Sequence, residues 1–128
     1  YRGKAGTTAV STLAAADAVA AEFAGLIIPG GYAPDMMRRH TAMVDLVRQM
    51  DAADKVVAAI CHAGWMLASA KILRGRTVTS FFAIRDDLEH AGATWVDQEV
   101  VQDRNLITSR TPADLPAFMR AVVTALQG

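Results

Sequence analysis

The chain contains a single cysteine, Cys61, and a histidine, His62, follows it directly. An apolar run at 56–60 precedes this pair, and the small residues Ala63 and Gly64 follow it. This order predicts a sharp turn from a strand into a helix, at which the Cys61 thiol leaves the carboxyl end of a sheet and faces the backbone N–H groups of the helix. The positive end of a helix dipole favours the thiolate, which is the nucleophilic form of cysteine.

Inert packing is the alternative for a lone cysteine, because free cysteine is among the most buried residue types. The adjacent His62, the small residues that follow it and the strand-to-helix junction together favour the other interpretation. The sequence therefore predicts a reactive thiol at Cys61.

Two glycines, Gly30 and Gly31, follow the apolar run at 26–28 and Pro29. Glycines at the end of a buried strand let backbone N–H groups approach a ligand closely and act as oxyanion donors. An ordinary strand-ending turn is the simpler explanation for these residues taken alone. Two such strand ends in one parallel sheet would converge on one crevice, so a joint site with Cys61 is plausible.

Asp35 comes shortly after the glycines and could orient a histidine. It could equally be a helix-terminal acid that complements the helix dipole, and the residues alone favour this second role. We expect His40 to be a solvated helix residue and His90 to lie near a helix end. Three scattered histidines and one cysteine form no spaced metal motif, and no phosphate-binding or dinucleotide fingerprint is present, so no metal or cofactor is predicted.

Strands alternate with helices along the chain, a pattern typical of an α/β fold with a mostly parallel sheet. We expect the strand at 26–28 to be covered on both faces and Asp17 to cap a short helical turn through residue 23. Strands are predicted at 7–13, 26–28, 56–60, 77–82, 99–102 and 106–109, the last two joined as a hairpin. Helices are predicted at 35–51, 63–72, 85–91 and 112–126, the last capped by Thr111 and with one apolar stripe formed by Leu115, Phe118, Met119, Val122, Val123 and Leu126.

The composition fits one domain of 128 residues with 52% apolar residues. A formal net charge of zero gives no electrostatic footprint for nucleic acid or anionic lipid. One cysteine excludes an intrachain disulfide and fits a reducing compartment, and the apolar runs are too short to span a membrane. We therefore expect a cytoplasmic protein without nucleic-acid or membrane partners.

Several segments, in order along nearly the whole chain, resemble the DJ-1/PfpI superfamily, and more closely its PfpI-like branch of intracellular proteases and deglycases. The matching segments are 26–35, 57–64, 73–76, 91–97 and 106–116. The resemblance implies a flavodoxin-like three-layer sandwich around a mostly parallel sheet, and assembly into homodimers or homohexamers.

The resemblance also implies roles for individual residues. Cys61 would be the nucleophile and His62 its catalytic partner, with the backbone N–H groups of Gly30, Gly31 and His62 forming an oxyanion hole. Asp35 would complete a Cys-His-acid arrangement from an adjacent subunit. This branch commonly has Glu at the position of Asp35, and Gly-Pro after the catalytic pair.

Members of the family normally begin with a strand, a helix and another strand before the point where this sequence starts. That segment supplies a central strand and an acidic residue that hydrogen-bonds the cysteine. We expect residues 1–128 to form one N-terminally incomplete DJ-1/PfpI-like domain, which would leave sheet edges unpaired.

The leading hypothesis for the function is a stress-response enzyme that adds the Cys61 thiolate to carbonyls. With a small aldehyde such as methylglyoxal, or a glycated protein, this chemistry gives a glyoxalase or protein deglycase. With a peptide bond it gives an intracellular cysteine peptidase. The alternative is a non-enzymatic redox sensor or holdase chaperone in which Cys61 is oxidised. A glutamine amidotransferase is disfavoured because no histidine follows His90.

An acid donated in trans makes activity depend on assembly. We expect specific activity to fall when the protein is diluted below the dissociation constant of the oligomer, as measured by turnover alongside analytical ultracentrifugation. Unchanged specific activity in a demonstrated monomer would contradict the trans arrangement.

Overall fold

The computed structural model describes all residues, Tyr1–Gly128, and its centre is a four-stranded sheet. The strands are β1 (Gly25–Ile28), β2 (Val56–Ile60), β3 (Thr77–Val78), β4 (Thr94–Trp95), β5 (Val100–Asp103) and β6 (Leu106–Ser109). The central sheet has the order β1-β2-β6-β5, in which β5 alone is antiparallel to its neighbour, and β3 and β4 form a separate parallel pair. The predicted α/β fold with a mostly parallel sheet is confirmed.

Helices cover both faces of the central sheet. They are α1 (Ala33–Met37), α2 (Thr41–Ala52), α3 (Gly64–Ser69), α4 (Arg85–His90) and α5 (Leu115–Leu126). Because successive residues of a strand point to opposite faces, Val57 and Ala59 join the core under α2, α3 and α4, while Ala58 and Ile60 pack against α5. The result is the predicted three-layer sandwich.

β1 lies at an edge of the sheet, since it pairs with β2 only. Ile28 is buried, but the side chain of Ile27 is 46% exposed on the other face. The expectation that this strand is covered on both faces is therefore wrong, because α5 covers the face above β2 and β6 and leaves Ile27 open.

The strand predicted at 7–13 does not form. The residues of this segment are exposed, and a single antiparallel bridge between Arg2 and Thr8 is their only sheet-like pairing. The β-branched residues have high strand propensity, but propensity without a partner strand and a buried face does not make a strand.

The turn predicted to start at Asp17 is also different. Two short 3₁₀ turns, Ala15–Asp17 and Ala20–Glu22, occupy this region, and the Asp17 side chain caps neither of them. The segment is instead held by Lys55, whose ammonium group donates hydrogen bonds to the carbonyls of Ala20 and Ala21, at 2.7 and 3.0 Å.

The single helix predicted at 35–51 is two helices, α1 and α2. Hydrogen bonds from Arg39 to Met36 and from His40 to Met37 tighten the end of α1, and His40 then adopts an extended conformation. Residues 38–40 are polar, so no apolar side chain holds a continuous helix against the core at this point.

The strand predicted at 77–82 is reduced to the two residues of β3, and Phe82 already starts a 3₁₀ turn. The Thr79 N–H bonds to the Thr108 hydroxyl at 2.9 Å and the Phe81 N–H to the carbonyl of Cys61 at 3.3 Å. These bonds redirect the chain out of the sheet and toward the end of β2.

The C-terminal elements follow the prediction more closely. β5 and β6 form the expected hairpin, and α4 ends just before Gly92, which has a φ of 98°. α3 ends at Ser69, earlier than predicted, and Lys71 beyond it is left-handed.

The last helix begins with a 3₁₀ turn at Pro112–Asp114, and its side-chain cap by Thr111 does not form. Within its apolar stripe Phe118 and Val122 are buried, whereas the exposed members are Leu115, Met119, Val123 and Leu126.

No helix combines the length and the apolar composition that a membrane span requires.

A buried arginine, Arg76, links the β5–β6 turn to the end of α2. Its guanidinium group donates hydrogen bonds to the Asp51 carboxylate at 2.7 Å, the Asn105 side chain at 2.9 Å and the Asp103 carbonyl at 3.0 Å. A buried cation requires this complete set of partners. The network therefore fixes the β5–β6 turn against α2.

The pKa of the Asp103 carboxyl lies below its ordinary value. The largest cause is the hydrogen bond that the Thr77 N–H donates to it, at 2.7 Å. The guanidinium groups of Arg104 and Arg76 lower the pKa further, while partial burial opposes them. The charged form of Asp103 is therefore favoured in the folded state.

This shift predicts an acid-sensitive contribution to stability. Since the folded pKa lies below the unfolded value of about 3.9, the Asp103 carboxylate stabilises the fold above that pH, and the contribution is lost as the pH falls through the folded pKa. We expect Asp103→Asn to lower the free energy of unfolding by about 1 kcal/mol at pH 7 in urea denaturation. The difference from the parent protein should shrink as the pH falls below about 3.9 and disappear once the pH lies below the folded pKa of Asp103.

The matched control is Asp54→Asn, because the Asp54 side chain makes no hydrogen bond in the chain and asparagine tolerates its φ of 55°. A difference between Asp103→Asn and the parent that stays constant with pH would contradict the prediction.

Candidate active site

Cys61 stands at the elbow that the sequence predicted. It follows β2 directly, starts a 3₁₀ turn at Cys61–Ala63 and leads into α3. Its φ is 62°, a left-handed conformation that costs a residue with a Cβ about 1–3 kcal/mol. The thiol is half-buried and forms no disulfide. Strain of this kind persists only where the surrounding structure enforces it, and it is common at functional sites.

The backbone of Gly30 packs directly against the cysteine. A Cβ placed on Gly30 would lie 2.7 Å from the Cβ of Cys61, 3.4 Å from its Sγ and 3.0 Å from the carbonyl oxygen of Ile60. Only glycine fits here. The structure therefore brings together the ends of β1 and β2, as the sequence predicted.

The N–H groups of Gly30 and Gly31 donate no hydrogen bond within the chain. Gly31 has a φ of 73°, which glycine adopts without strain. An unpaired N–H group next to a nucleophile has the chemistry of an oxyanion hole, and Gly30 is the one of the two glycines whose backbone contacts Cys61. The oxyanion hole formed by Gly30, Gly31 and His62 stays a prediction.

His62 contacts the thiol. Its Nδ1 lies 3.2 Å from the Sγ of Cys61, within hydrogen-bonding distance for sulfur, and both residues are half-buried. Side chains of consecutive residues at a turn commonly diverge, but here the thiol and the imidazole meet. The pair can exchange a proton.

Two aromatic side chains flank the imidazole of His62. The ring of Phe81 stacks on it with centroids 4.8 Å apart and an interplanar angle of 28°, and Trp65 meets it edge-on at 5.3 Å. The sequence predicted no role at the site for either residue, since Trp65 fell within the helix expected at 63–72 and Phe81 within the strand expected at 77–82. The spacing of three residues between His62 and Trp65 on a helical turn was the available signal.

Asp35 lies in the first turn of α1, where its charge complements the helix dipole. Its carboxylate is paired with Arg39 at 2.6 Å and does not contact His62 in the chain. The role as a helix-terminal acid thus fits one chain. Its contribution to the site of an adjacent subunit stays a prediction.

The other histidines lie apart from the thiol. His40 is exposed just before α2, and His90 is exposed at the end of α4, as expected for a helix-end residue. No cluster of three or more His, Cys, Asp or Glu side chains has an arrangement that could hold a metal ion.

β6 ends at Ser109, which pairs with Ile60, so the loop after β6 lies at the same edge of the sheet as Cys61. An ion-pair cluster fixes this loop. Arg110 binds both oxygens of Asp114, at 2.8 and 3.0 Å, and Asp97 at 2.9 Å. The Arg110 guanidinium holds the pKa of the Asp114 carboxyl below its ordinary value, and Asp114 and then Asp97 raise the pKa of Arg110. Arg110 is therefore occupied by carboxylates.

A sequence model of the DJ-1/PfpI family matches residues 1–125. The chain belongs to this family. It is 48% identical over 106 residues to Deglycase PH1704 of Pyrococcus horikoshii, covering 83% of this chain and 64% of that protein. It is 43% identical over 127 residues to Protein/nucleic acid deglycase 2 of Escherichia coli, covering 98% of this chain and 74% of that protein. The chain thus spans about two thirds to three quarters of the length of these relatives.

Solved structures of the family agree with the fold. A two-domain protein of Anabaena variabilis with DJ-1/ThiJ/PfpI-like and ferritin-like domains has a TM-score of 0.93 at 43% identity, covering 99% of this chain and 37% of that one. DJ-1β of Drosophila melanogaster has a TM-score of 0.78 at 31% identity, covering 84% and 59%. The predicted flavodoxin-like fold is confirmed.

The contact between Gly30 and Cys61 gives a direct test of the site. In Gly30→Ala the new methyl group must displace the cysteine or the end of β2, which should cost about 1–3 kcal/mol of stability. It should also slow alkylation of Cys61 by iodoacetamide.

The matched control is Gly75→Asn, in a left-handed turn with open space around it. A Gly30→Ala protein with parental stability and parental alkylation rate would refute the close approach.

Proposed function

We propose that the chain carries a cysteine-dependent enzyme of the DJ-1/PfpI type that acts on small aldehydes and on the adducts they form with amino groups. The observation that carries the proposal is the 3.2 Å contact between Cys61 Sγ and His62 Nδ1, beside the unpaired N–H groups of Gly30 and Gly31. Nucleophile, proton acceptor and oxyanion donors are the parts that addition to a carbonyl requires.

With methylglyoxal, the sulfur of Cys61 forms a bond to the aldehyde carbon, and the carbonyl electron pair moves to oxygen, next to the N–H groups of Gly30 and Gly31. His62 takes the thiol proton and returns it to that oxygen, which gives a hemithioacetal. Shift of the hydrogen from this carbon to the adjacent ketone oxidises the first carbon and reduces the second, so no external oxidant is needed. Water then hydrolyses the thioester to lactate and frees the thiol.

A glycated amine joins the same reaction at the hemithioacetal. Attack of the Cys61 sulfur on the carbinolamine carbon breaks its C–N bond, and the amine leaves with a proton from His62. The hemithioacetal that remains is the one formed from the free aldehyde, so one site supports both glyoxalase and deglycase activity. The deglycase names of the two relatives support this assignment.

Peptidase activity is the second candidate function for the same nucleophile. A cavity of about 540 Å³ runs along β1 and is lined by apolar residues such as Phe23, Ile27 and Met43, without Cys61 or His62. This cavity does not reach the thiol and therefore offers a peptide no binding groove at Cys61, whereas a small carbonyl needs no such groove. This arrangement favours the aldehyde substrate.

A redox sensor or holdase chaperone is the non-enzymatic alternative, supported by the half-buried free thiol of Cys61 and by 44% identity over 129 residues to General stress protein 18 of Bacillus subtilis. Absence of turnover with any carbonyl, together with reversible oxidation of Cys61, would favour it.

Substitution of the dyad tests the enzyme. We expect Cys61→Ser to abolish lactate formation from methylglyoxal and release of free amine from glycated N-acetyl-lysine. His62→Ala should lower both rates by about 100-fold, the usual scale for loss of a general base. Liquid chromatography of lactate and free amine gives the measurement.

The control is His90→Ala, since His90 is an exposed histidine away from the thiol. Turnover that survives Cys61→Ser would exclude the thiolate mechanism.

A further inference from the structure

The imidazole of a catalytic histidine must be held in one orientation, and a carboxylate usually does this in related arrangements. In this chain the only hydrogen-bonding contact of the His62 ring is the one to Cys61 Sγ. Asp35, the acid considered for this role, is paired with Arg39 instead. Something other than an in-chain carboxylate therefore orients the ring.

Two aromatic rings contact the imidazole from different directions. Phe81 covers one face as a stacked ring, and Trp65 contacts it at an interplanar angle of 64°. Both geometries belong to those that aromatic pairs prefer. A quarter-turn of the His62 ring about its Cβ–Cγ bond would break both aromatic contacts. A half-turn would keep the plane of the ring but would replace Nδ1 by Cδ2 beside the sulfur and lose the 3.2 Å contact.

The tryptophan is itself held in place. Its indole N–H donates a hydrogen bond of 2.8 Å to the Asp87 carboxylate on α4, and the guanidinium of Arg38 lies 5.7 Å from its ring centroid. Arg38 is fixed in turn by a 2.9 Å hydrogen bond to Ser69. α1, α3 and α4 thus all contribute to the position of Trp65.

Phe81 is fixed through its backbone. Its N–H donates a hydrogen bond of 3.3 Å to the carbonyl of Cys61, and its ring also packs against Phe82. The accepting carbonyl belongs to the peptide bond between Cys61 and His62, so this hydrogen bond places Phe81 relative to both residues of the dyad.

We propose that Trp65 and Phe81 are positioning residues that orient His62 toward Cys61, and that Asp87 supports them by holding the indole of Trp65. The inference rests on the proposed pairing of Cys61 and His62. It assigns to aromatic packing, within this chain, the task that a carboxylate performs in a Ser-His-Asp triad.

The experiment measures alkylation of the only cysteine by iodoacetamide from pH 5 to 10, a readout that requires no turnover. We expect Phe81→Leu and Trp65→Leu to slow alkylation at pH 7 about tenfold and to displace the pH profile, because a misplaced imidazole no longer interacts with the sulfur. Phe81→Tyr, which keeps the ring, should restore the parental profile.

Asp87 provides a milder variant that leaves both aromatic rings in place. Asp87→Ala should slow alkylation, whereas Asp87→Asn retains an acceptor for the indole N–H and should remain close to the parent. Asp86→Ala is the matched control, because Asp86 is exposed in the same turn of α4 and makes no hydrogen bond through its side chain. Thermal melting of each variant shows whether the fold is retained.

A double-mutant cycle decides whether the aromatic rings act through His62. If they do, Phe81→Leu should change the alkylation rate less than twofold in a His62→Ala background. An equal slowing by Phe81→Leu in the presence and absence of His62, or parental profiles for Phe81→Leu, Trp65→Leu and Asp87→Ala, would overturn the proposal.

Failure of this inference is distinguishable from failure of the proposed function. A parent protein that turns over no carbonyl, but whose alkylation depends on Phe81 only when His62 is present, removes the enzyme and leaves the positioning role intact. Turnover that requires Cys61 and His62 but is unaffected by Phe81→Leu and Trp65→Leu leaves the enzyme and removes the positioning role.

Discussion

The parallel pairing of β1 with β2 is the constraint on which the site depends. Its register, with Ile28 opposite Ala59, places the glycine loop after β1 beside the elbow after β2. This register is fixed by the core, since Val57 and Ala59 face one layer of helices and Ala58 and Ile60 the other. A slip by one residue would exchange the two faces and separate Gly30 from Cys61. Packing far from the thiol therefore determines its immediate surroundings.

The elbow stores strain that these surroundings hold in place. Cys61 has a left-handed backbone, and three features accommodate it: Gly30 has no Cβ that would clash with it, Ala63 in the same turn is fully buried, and the Phe81 N–H donates a hydrogen bond to its carbonyl. Each feature belongs to a different segment of the chain. Distribution of the constraint over several segments explains how a residue with a Cβ persists in a conformation that usually favours glycine.

Parts of this arrangement were predictable from the sequence because they depend on local signals or on a general rule. The apolar run before Cys61 and the glycines at 30–31 mark strand ends, and the ends of parallel strands meet at one edge. The strand expected at 7–13 and the single helix at 35–51 failed for the opposite reason, since both needed tertiary partners that propensity does not report. The stacking of Phe81 on His62 could not be predicted from the sequence either. It depends on the early end of β3, where the Thr79 N–H donates its hydrogen bond to the Thr108 hydroxyl and not to a neighbouring strand.

These contacts define what one chain supplies and what it leaves open. The thiol and the imidazole are in contact, the aromatic rings restrict the orientation of the imidazole, and Asp35 forms an ion pair with Arg39. His62 Nε2 has no partner in the chain, so a further acid, from a second subunit or from the substrate, would meet a ring that already has its orientation. Such an acid would then act on the charge of the imidazolium rather than on its geometry. In this account the fold separates two tasks that a Ser-His-Asp triad combines in one aspartate.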